Sequence, residues 1–243
     1  MFEEPPIGLM LVPAPLLAGV VGGVVVGLLS GSWIVAIIAV VGVALIAAAS
    51  AYVMAERVAL ALMGARPLGD GGSRMLRNQL EELCARTGVP EPEIYTVGPG
   101  APAIASVGTS NEIALVVTDG LSDELTVVEL EAAVARELAK TKSGSTTVDT
   151  LAVTFLTVPL GWIAGLGHGL LRWLRGTDHD AKADLDGVAI TRYPPGMCAA
   201  LSKMQRPAGI KDSVGHLWAT GDVEASETGR FSLQDRLEML QEL

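Results

Sequence analysis

The densest grouping of chemically capable side chains is the string Arg136-Glu137-Leu138-Ala139-Lys140. On a helix, Arg136 and Lys140 stand one turn apart on the same face, with Glu137 beside them. Further along, Asp180 and Asp184 share a face at the same spacing. Cations set against carboxylates in this way can form an ion-pair cluster of Arg136, Glu137, Lys140, Asp180 and Asp184 that ties two helices together. Desolvation can exceed the Coulomb gain of such a cluster, so the same charges can equally lie apart on a solvated face. A third reading gathers His179, Asp180, Asp184 and Glu137 into a carboxylate-rich metal site. Against it, His179 points about 100° away from Asp180 on an ideal helix. Other chemistry is poorly supported. Cys84 and Cys198 lack a histidine at pairing distance, and Ser143 and Ser145 lack a partner base. The glycine-rich patches match neither a dinucleotide fingerprint nor a phosphate loop. His168, among glycines, and His216, near Trp218, read as packing histidines.

The elements that must position these residues follow from periodicity. Residues 72–87 place Met75, Leu76, Leu80, Leu83 and Cys84 on one helical face, and Gly88-Val89-Pro90 ends that helix. Residues 93–97 and 113–117 read as strands separated by a Gly, Ala and Ser loop, with 113–117 as a candidate edge for an extended peptide. Thr126 and Glu129 fit a capping box that starts a helix reaching about Lys142. Helices are predicted over 178–192, from Pro194 to Gln205, and over 232–243.

Composition points to a membrane. Half of the 243 residues are apolar and the mean hydropathy is +0.44. Residues 5–55 contain no Asp, Glu, Lys, Arg or His, a run of 51, whereas one transmembrane helix takes about 20. A two-helix hairpin is predicted, with arms at 7–29 and 33–54 and a turn at Ser30-Gly31-Ser32. The acidic opening around Glu3 and Glu4 lacks the basic flank of a signal peptide. Arg57, Arg66, Arg74 and Arg77 follow the second arm, placing both hairpin ends in the cytoplasm. Residues 150–171 form a third apolar stretch of 22 residues, interrupted by Pro159 and four glycines. The net charge is −10, and residues 57–243 still carry −7 because the first 56 hold three acids and no base. Such a balance disfavours nucleic acid as a partner. Two lone cysteines fit free thiols on a reducing face, and an excess of Arg over Lys, 12 to 5, fits a GC-rich bacterial source.

Residues 125–143, LTVVELEAAVARELAKTKS, preceded by Thr118-Asp119-Gly120-Leu121, resemble the HtpX-type membrane zinc metallopeptidases, relatives of the CAAX prenyl proteases. The family reads TxGLL and then LxxEELEAVLAHELAHIKNRD in the same order. Further likeness lies in residues 83–92, in Ala183-Asp184, in Thr191-Arg192-Tyr193-Pro194-Pro195-Gly196, and in the terminal 233–237. The resemblance implies an α+β fold: the transmembrane hairpin at 1–56, then a cytoplasmic, mostly helical zincin-like domain with a small sheet at 57–243. It also implies zinc held by two histidines of HExxH and a later Glu, with the HExxH Glu as general base. Here the HExxH positions hold Arg136 and Lys140, the third-ligand position holds Asp180, and only Glu137 remains, as a vestigial general base. The family's Asn-Ala pair corresponds to Ala103-Ile104, its Asn-x-Asp to Ser143 and Ser145, and a His-Pro pair to Arg230-Phe231. The reading is a membrane-anchored pseudopeptidase in the cell membrane, without zinc, that binds membrane proteins or serves as an accessory subunit of their complexes. The alternative is an active quality-control metalloendopeptidase with a non-standard metal site. A full crossing at 150–171 would put Glu137 and Asp180 on opposite sides of the bilayer, so a short membrane-associated hairpin is expected there.

Overall fold

The computed structural model describes residues 22, 25, 33–69, 73–109, 112–154, 178–220 and 232–243. The first arm of the predicted hairpin, its turn, most of the 150–171 stretch, His168 and Arg230-Phe231 therefore lie outside the described residues, apart from helical positions 22 and 25. The predicted second arm is the beginning of helix α1 (Trp33–Met63, 31 residues), about 46 Å long at 1.5 Å per residue. Trp33, Ile34, Ile38, Leu45, Ile46 and Val53 are exposed on its first part, whereas Ala55, Val58, Ala59, Leu60, Leu62 and Met63 are buried. One unbroken helix thus carries the chain from an apolar exposed segment into the core, and the boundary expected at 56 falls inside it. Among the described residues no helix is long and apolar enough to cross a membrane, so the second arm expected at 33–54 is not borne out as a span there.

A sheet organises the rest. Its strands are β1 (Arg66–Pro67), β2 (Glu93–Thr96), β3 (Ile104–Gly108) and β4 (Ile113–Val117), in the order β1-β2-β4-β3. β2 and β4 run parallel; the other two pairs are antiparallel. Side chains alternate across a strand, and the alternation divides two cores. Ile104, Leu115 and Val117 face one helical layer. Ala105, Val107, Ala114 and Val116 face the buried part of α1 and Trp218. Two expectations are corrected here. The Gly, Ala and Ser segment expected as a loop contains β3, whose five residues are all buried. Its Ala, Ser and Gly have weak strand propensity; burial against two layers holds it extended. In consequence β4, expected at the edge, is central, and β3 is the edge.

The helical layer comprises α2 (Arg74–Thr87), α3 (Gly120–Glu124), α4 (Val127–Lys142), α5 (Ser145–Ala152), α6 (His179–Thr191), α7 (Pro194–Lys203), α8 (Asp212–Gly215) and α9 (Leu233–Gln241). α2 begins at Ser73, whose hydroxyl accepts from Leu76 N–H, and ends at Gly88 in the left-handed region, φ 72°. α4 starts with the expected capping box: Glu129 accepts from the Thr126 N–H at 2.8 Å and Thr126 accepts from the Glu129 N–H at 3.4 Å. Lys203 reaches from α7 to the same Glu129 at 2.7 Å and helps hold its carboxyl below the usual range despite partial burial. α9 opens with a second capping box, Ser232 with Asp235.

α6 lies directly against α4, and Gly187 is the reason it can. A Cβ there would stand 2.9 Å from the Arg136 Cα and 2.7 Å from the Met197 side chain. Gly187→Ala is expected to push the helices apart and cost about 1–3 kcal/mol, the range for overpacking a close contact. Chemical denaturation of the detergent-purified chain measures it; an unchanged midpoint would mean that the two helices are not in this register.

Candidate functional site

α4 is buried on every side from Ala132 to Lys140, so its polar residues cannot turn to water. Arg136, Glu137 and Lys140 are exposed by 0%, 0% and 1%. Each must find partners inside the protein, because an unpaired buried charge costs several kcal/mol. The structure supplies them. Arg136 donates from Nε to Asp184 Oδ1 at 2.7 Å, from Nη2 to Asp180 Oδ1 at 3.2 Å, and from Nη1 to Glu137 Oε1. Asp184 also receives Arg236 of α9, at 2.6 Å from Nε and 2.8 Å from Nη2. Lys140 Nζ stands 3.5 Å from Glu137 Oε2 and 3.4 Å from Asp149 Oδ2. His179 Nε2 lies 3.2 Å from that same Asp149 oxygen.

The five residues that spacing singled out, Arg136, Glu137, Lys140, Asp180 and Asp184, therefore meet at one place. His179 does not join Asp180 and Asp184 but turns to Asp149, as its 100° offset on the helix requires. Sequence reasoning missed Asp149, Ser106 and Arg236 as members. Asp149 had a signal, being the only acidic residue between Glu137 and Asp178. Arg236 had one as well, as the only cation in the last helix. Ser106 had none, because its part depends on the unexpected strand β3.

Glu137 accepts from both the N–H and the hydroxyl of Ser106, at 2.9 and 2.7 Å, and that hydroxyl also pairs with Thr146 at 2.8 Å. Burial by itself would raise the Glu137 pKa. The charges of Lys140 and Arg136, with the hydrogen bonds from Ser106 and Arg136, outweigh that and hold it below its ordinary 4.5. Burial likewise opposes the Arg136 charge, and Asp184, Glu137 and Asp180 overcome it and keep the guanidinium protonated. Two cavities lined by described residues, about 540 Å³ beside Leu68, Ser73 and Asp119 and about 420 Å³ beside Glu56, Glu93 and Glu112, do not reach this cluster. Cys84 and Cys198 are free thiols; burial raises both, Cys84 to about 11, away from nucleophilic use. His216 is buried, with Nε2 3.3 Å from the Asp149 carbonyl.

Comparison with known proteins first defines a class: the chain is similar to proteases. A protease HtpX homolog of Tropheryma whipplei is 27% identical over 203 residues, 69% of this chain and 70% of its own length. Protease HtpX of Legionella pneumophila is 27% identical over 188 residues, 65% of this chain and 66% of its own length. A protease HtpX homolog of Sulfurihydrogenibium reaches 34% over 104 residues, 42% of this chain. The chain is thus similar to HtpX-type proteases over about two thirds of its length. No family model and no solved structure matches it.

The zinc that such a relationship implies does not fit the residues present. Arg136 has no lone pair to offer. Both Glu137 oxygens are engaged by Arg136, Ser106 and Lys140, and both Asp184 oxygens by arginines. Among the described residues no group of three or more His, Cys, Asp and Glu is placed to hold a metal ion. In place of a metal, the cluster has cations at fixed covalent positions: Arg136, Lys140 and Arg236 against Glu137, Asp149, Asp180 and Asp184.

Two outcomes follow. Asp184→Asn, which leaves two buried arginines short of a charge, is expected to cost about 3–5 kcal/mol, read from the denaturation midpoint. Because Glu137 titrates lower when folded than its ordinary 4.5, its contribution is complete above about that pH and is lost as pH falls through the depressed value. Stability measured from pH 7 down to pH 3 should therefore drop at the acid end, and Glu137→Gln should flatten that drop. A profile identical in the two proteins would contradict the ionised, paired Glu137.

Proposed function

We propose that this chain is a membrane-anchored, non-catalytic relative of the HtpX-type zinc peptidases. It keeps a zincin-like arrangement of sheet and helices and works by binding membrane proteins or as an accessory subunit of their complexes. The observation that carries this reading is Arg136: a fully buried guanidinium bonded to three carboxylates on the helix where the family resemblance puts a zinc ligand. Hydrolysis needs an activated water and a free base, and Glu137, at the position where the resemblance puts that base, has its oxygens already taken by two cations and Ser106.

A membrane anchor is supported by the sequence, in which residues 5–55 hold no Asp, Glu, Lys, Arg or His, a run long enough for two spans of about 20 residues each. A cytoplasmic main domain is supported by Arg57, Arg66, Arg74 and Arg77, which follow the apolar run on one side only. The contact between Asp149 and His179 adds a constraint. These residues flank the 150–171 stretch and meet in one cluster, so the chain must leave and return on the same side of any bilayer. A reporter fused after Arg175 should stay on the domain's side; exposure outside the cell would refute this topology.

The metal content of the detergent-purified chain tests the central claim. Less than about 0.1 zinc per chain is expected, both as purified and after zinc loading, since the site offers no open ligand set of the kind that catalytic zinc requires. Near-stoichiometric zinc that is lost on Glu137→Gln with Asp180→Asn would overturn the reading and favour a metalloendopeptidase with a non-standard site.

A further inference from the structure

The outer edge of β3 is an unusual place for a carboxylate. Thr118 donates to the Ala103 carbonyl at 3.1 Å and Thr109 to the Glu112 carbonyl at 2.9 Å. With the β3–β4 register, these two bonds fix which backbone groups face which way. Ala105 and Val107 point their N–H and C=O groups into the sheet; Ile104, Ser106 and Gly108 point theirs outward. An outward row of this kind is a template for an added strand, the commonest way an extended peptide docks on a sheet.

In this chain the template is already occupied. The Ser106 N–H donates to Glu137 Oε2 at 2.9 Å, and the Gly108 N–H to Thr150 Oγ1 at 2.9 Å. The Ile104 carbonyl accepts from the Ala219 N–H at 3.1 Å, and Ala105 forms an antiparallel bridge with Trp218. These occupants come from three separate elements, α4, α5 and the turn after α8. All three hold buried positions: Glu137, Thr150, Trp218 and Ala219 are at most 2% exposed. Thr150 is itself oriented by donating to the Thr146 carbonyl at 2.8 Å, and Glu137 is held by Arg136 and Lys140.

We infer that β3 is a sealed edge: Glu137 is kept as an internal cap for the strand, and extended peptides are excluded from it. Partners of this protein then dock elsewhere than by strand addition at β3. The inference rests on the non-catalytic reading of the same site, but the two fail separately. Zinc uptake overturns that reading, whereas hydrogen exchange and peptide labelling overturn this one.

Residue-resolved amide hydrogen exchange on the full chain tests it. Ser106 and Gly108 should exchange as slowly as Ala105 and Val107, whose amides face β4. Exchange of Ser106 or Gly108 more than a hundredfold faster would overturn the seal. Glu137→Gln, whose amide oxygen still accepts, should keep Ser106 slow, and Glu137→Leu should speed it by at least tenfold while Val107 stays slow. A leucine variant with Ser106 still protected would overturn the role of Glu137. Should that variant lose protection at Val107 too, Thr150→Val supplies the same local test at Gly108, and an unchanged Gly108 rate would overturn the seal there. An alternating Val-Thr hexapeptide carrying a photo-reactive group should leave residues 104–108 of the native chain unlabelled. Specific labelling of β3 would overturn the proposal.

Discussion

Asp184 accepts from two arginines that arrive from different helices, and the packing of the domain is arranged around that fact. Arg136 from α4 and Arg236 from α9 meet its two oxygens, so one carboxylate on α6 joins three helices where no water reaches. A buried pair of this kind adds little net stability over a well-packed apolar contact, but breaking it is expensive. Its effect is therefore on specificity: few alternative packings would leave Arg136, Lys140, Arg236 and their carboxylates all satisfied. The close approach at Gly187 belongs to the same constraint, since only a glycine lets α6 come near enough to α4 for Asp184 to reach Arg136.

A divalent ion joins ligands through short bonds and can be removed by a chelator or by protonating its ligands. The cations here are covalent parts of the chain. Cross-linking by side chains makes the helix contacts independent of metal supply, and it draws the carboxylates away from any role toward solvent. The anionic side of the cluster is spread over α4, α5 and α6, through Glu137, Asp149, Asp180 and Asp184. Losing one member thus disturbs several interfaces at once, and effects of paired substitutions inside it should not add.

Much of this was legible in the sequence, for identifiable reasons. The helix bearing Arg136 could be read because its cap, Thr126 with Glu129, is a local signal, and the i,i+4 spacing of its cations is fixed by helical geometry. The strands at 93–96 and 113–117 are rich in β-branched and aromatic residues and could be read in the same way. The strand at 104–108 could not. Ile-Ala-Ser-Val-Gly has little intrinsic preference, and what extends it is the pairing with β4 and burial on both faces. That one missing element hid the partnership of Ser106 with Glu137 and put the wrong strand at the edge. Asp149 and Arg236 stood out in the sequence only as the lone acid and the lone cation of their segments; which partners they meet is set by tertiary contact, which no spacing rule covers.

α1 passes from its exposed apolar part into the core without a hinge, Val53 being exposed and Ala55 fully buried. A helix turns by about 100° per residue, so the azimuth of Trp33 and Ile34 is indexed to the sheet as a keyed shaft is to its gear. A single residue inserted ahead of Met54 would leave the core contacts from Met54 onward in place and swing the outer segment through more than a quarter of a circle. Length and phase of this helix are therefore one specification, and whatever surrounds the outer segment is presented to the domain from a fixed compass bearing.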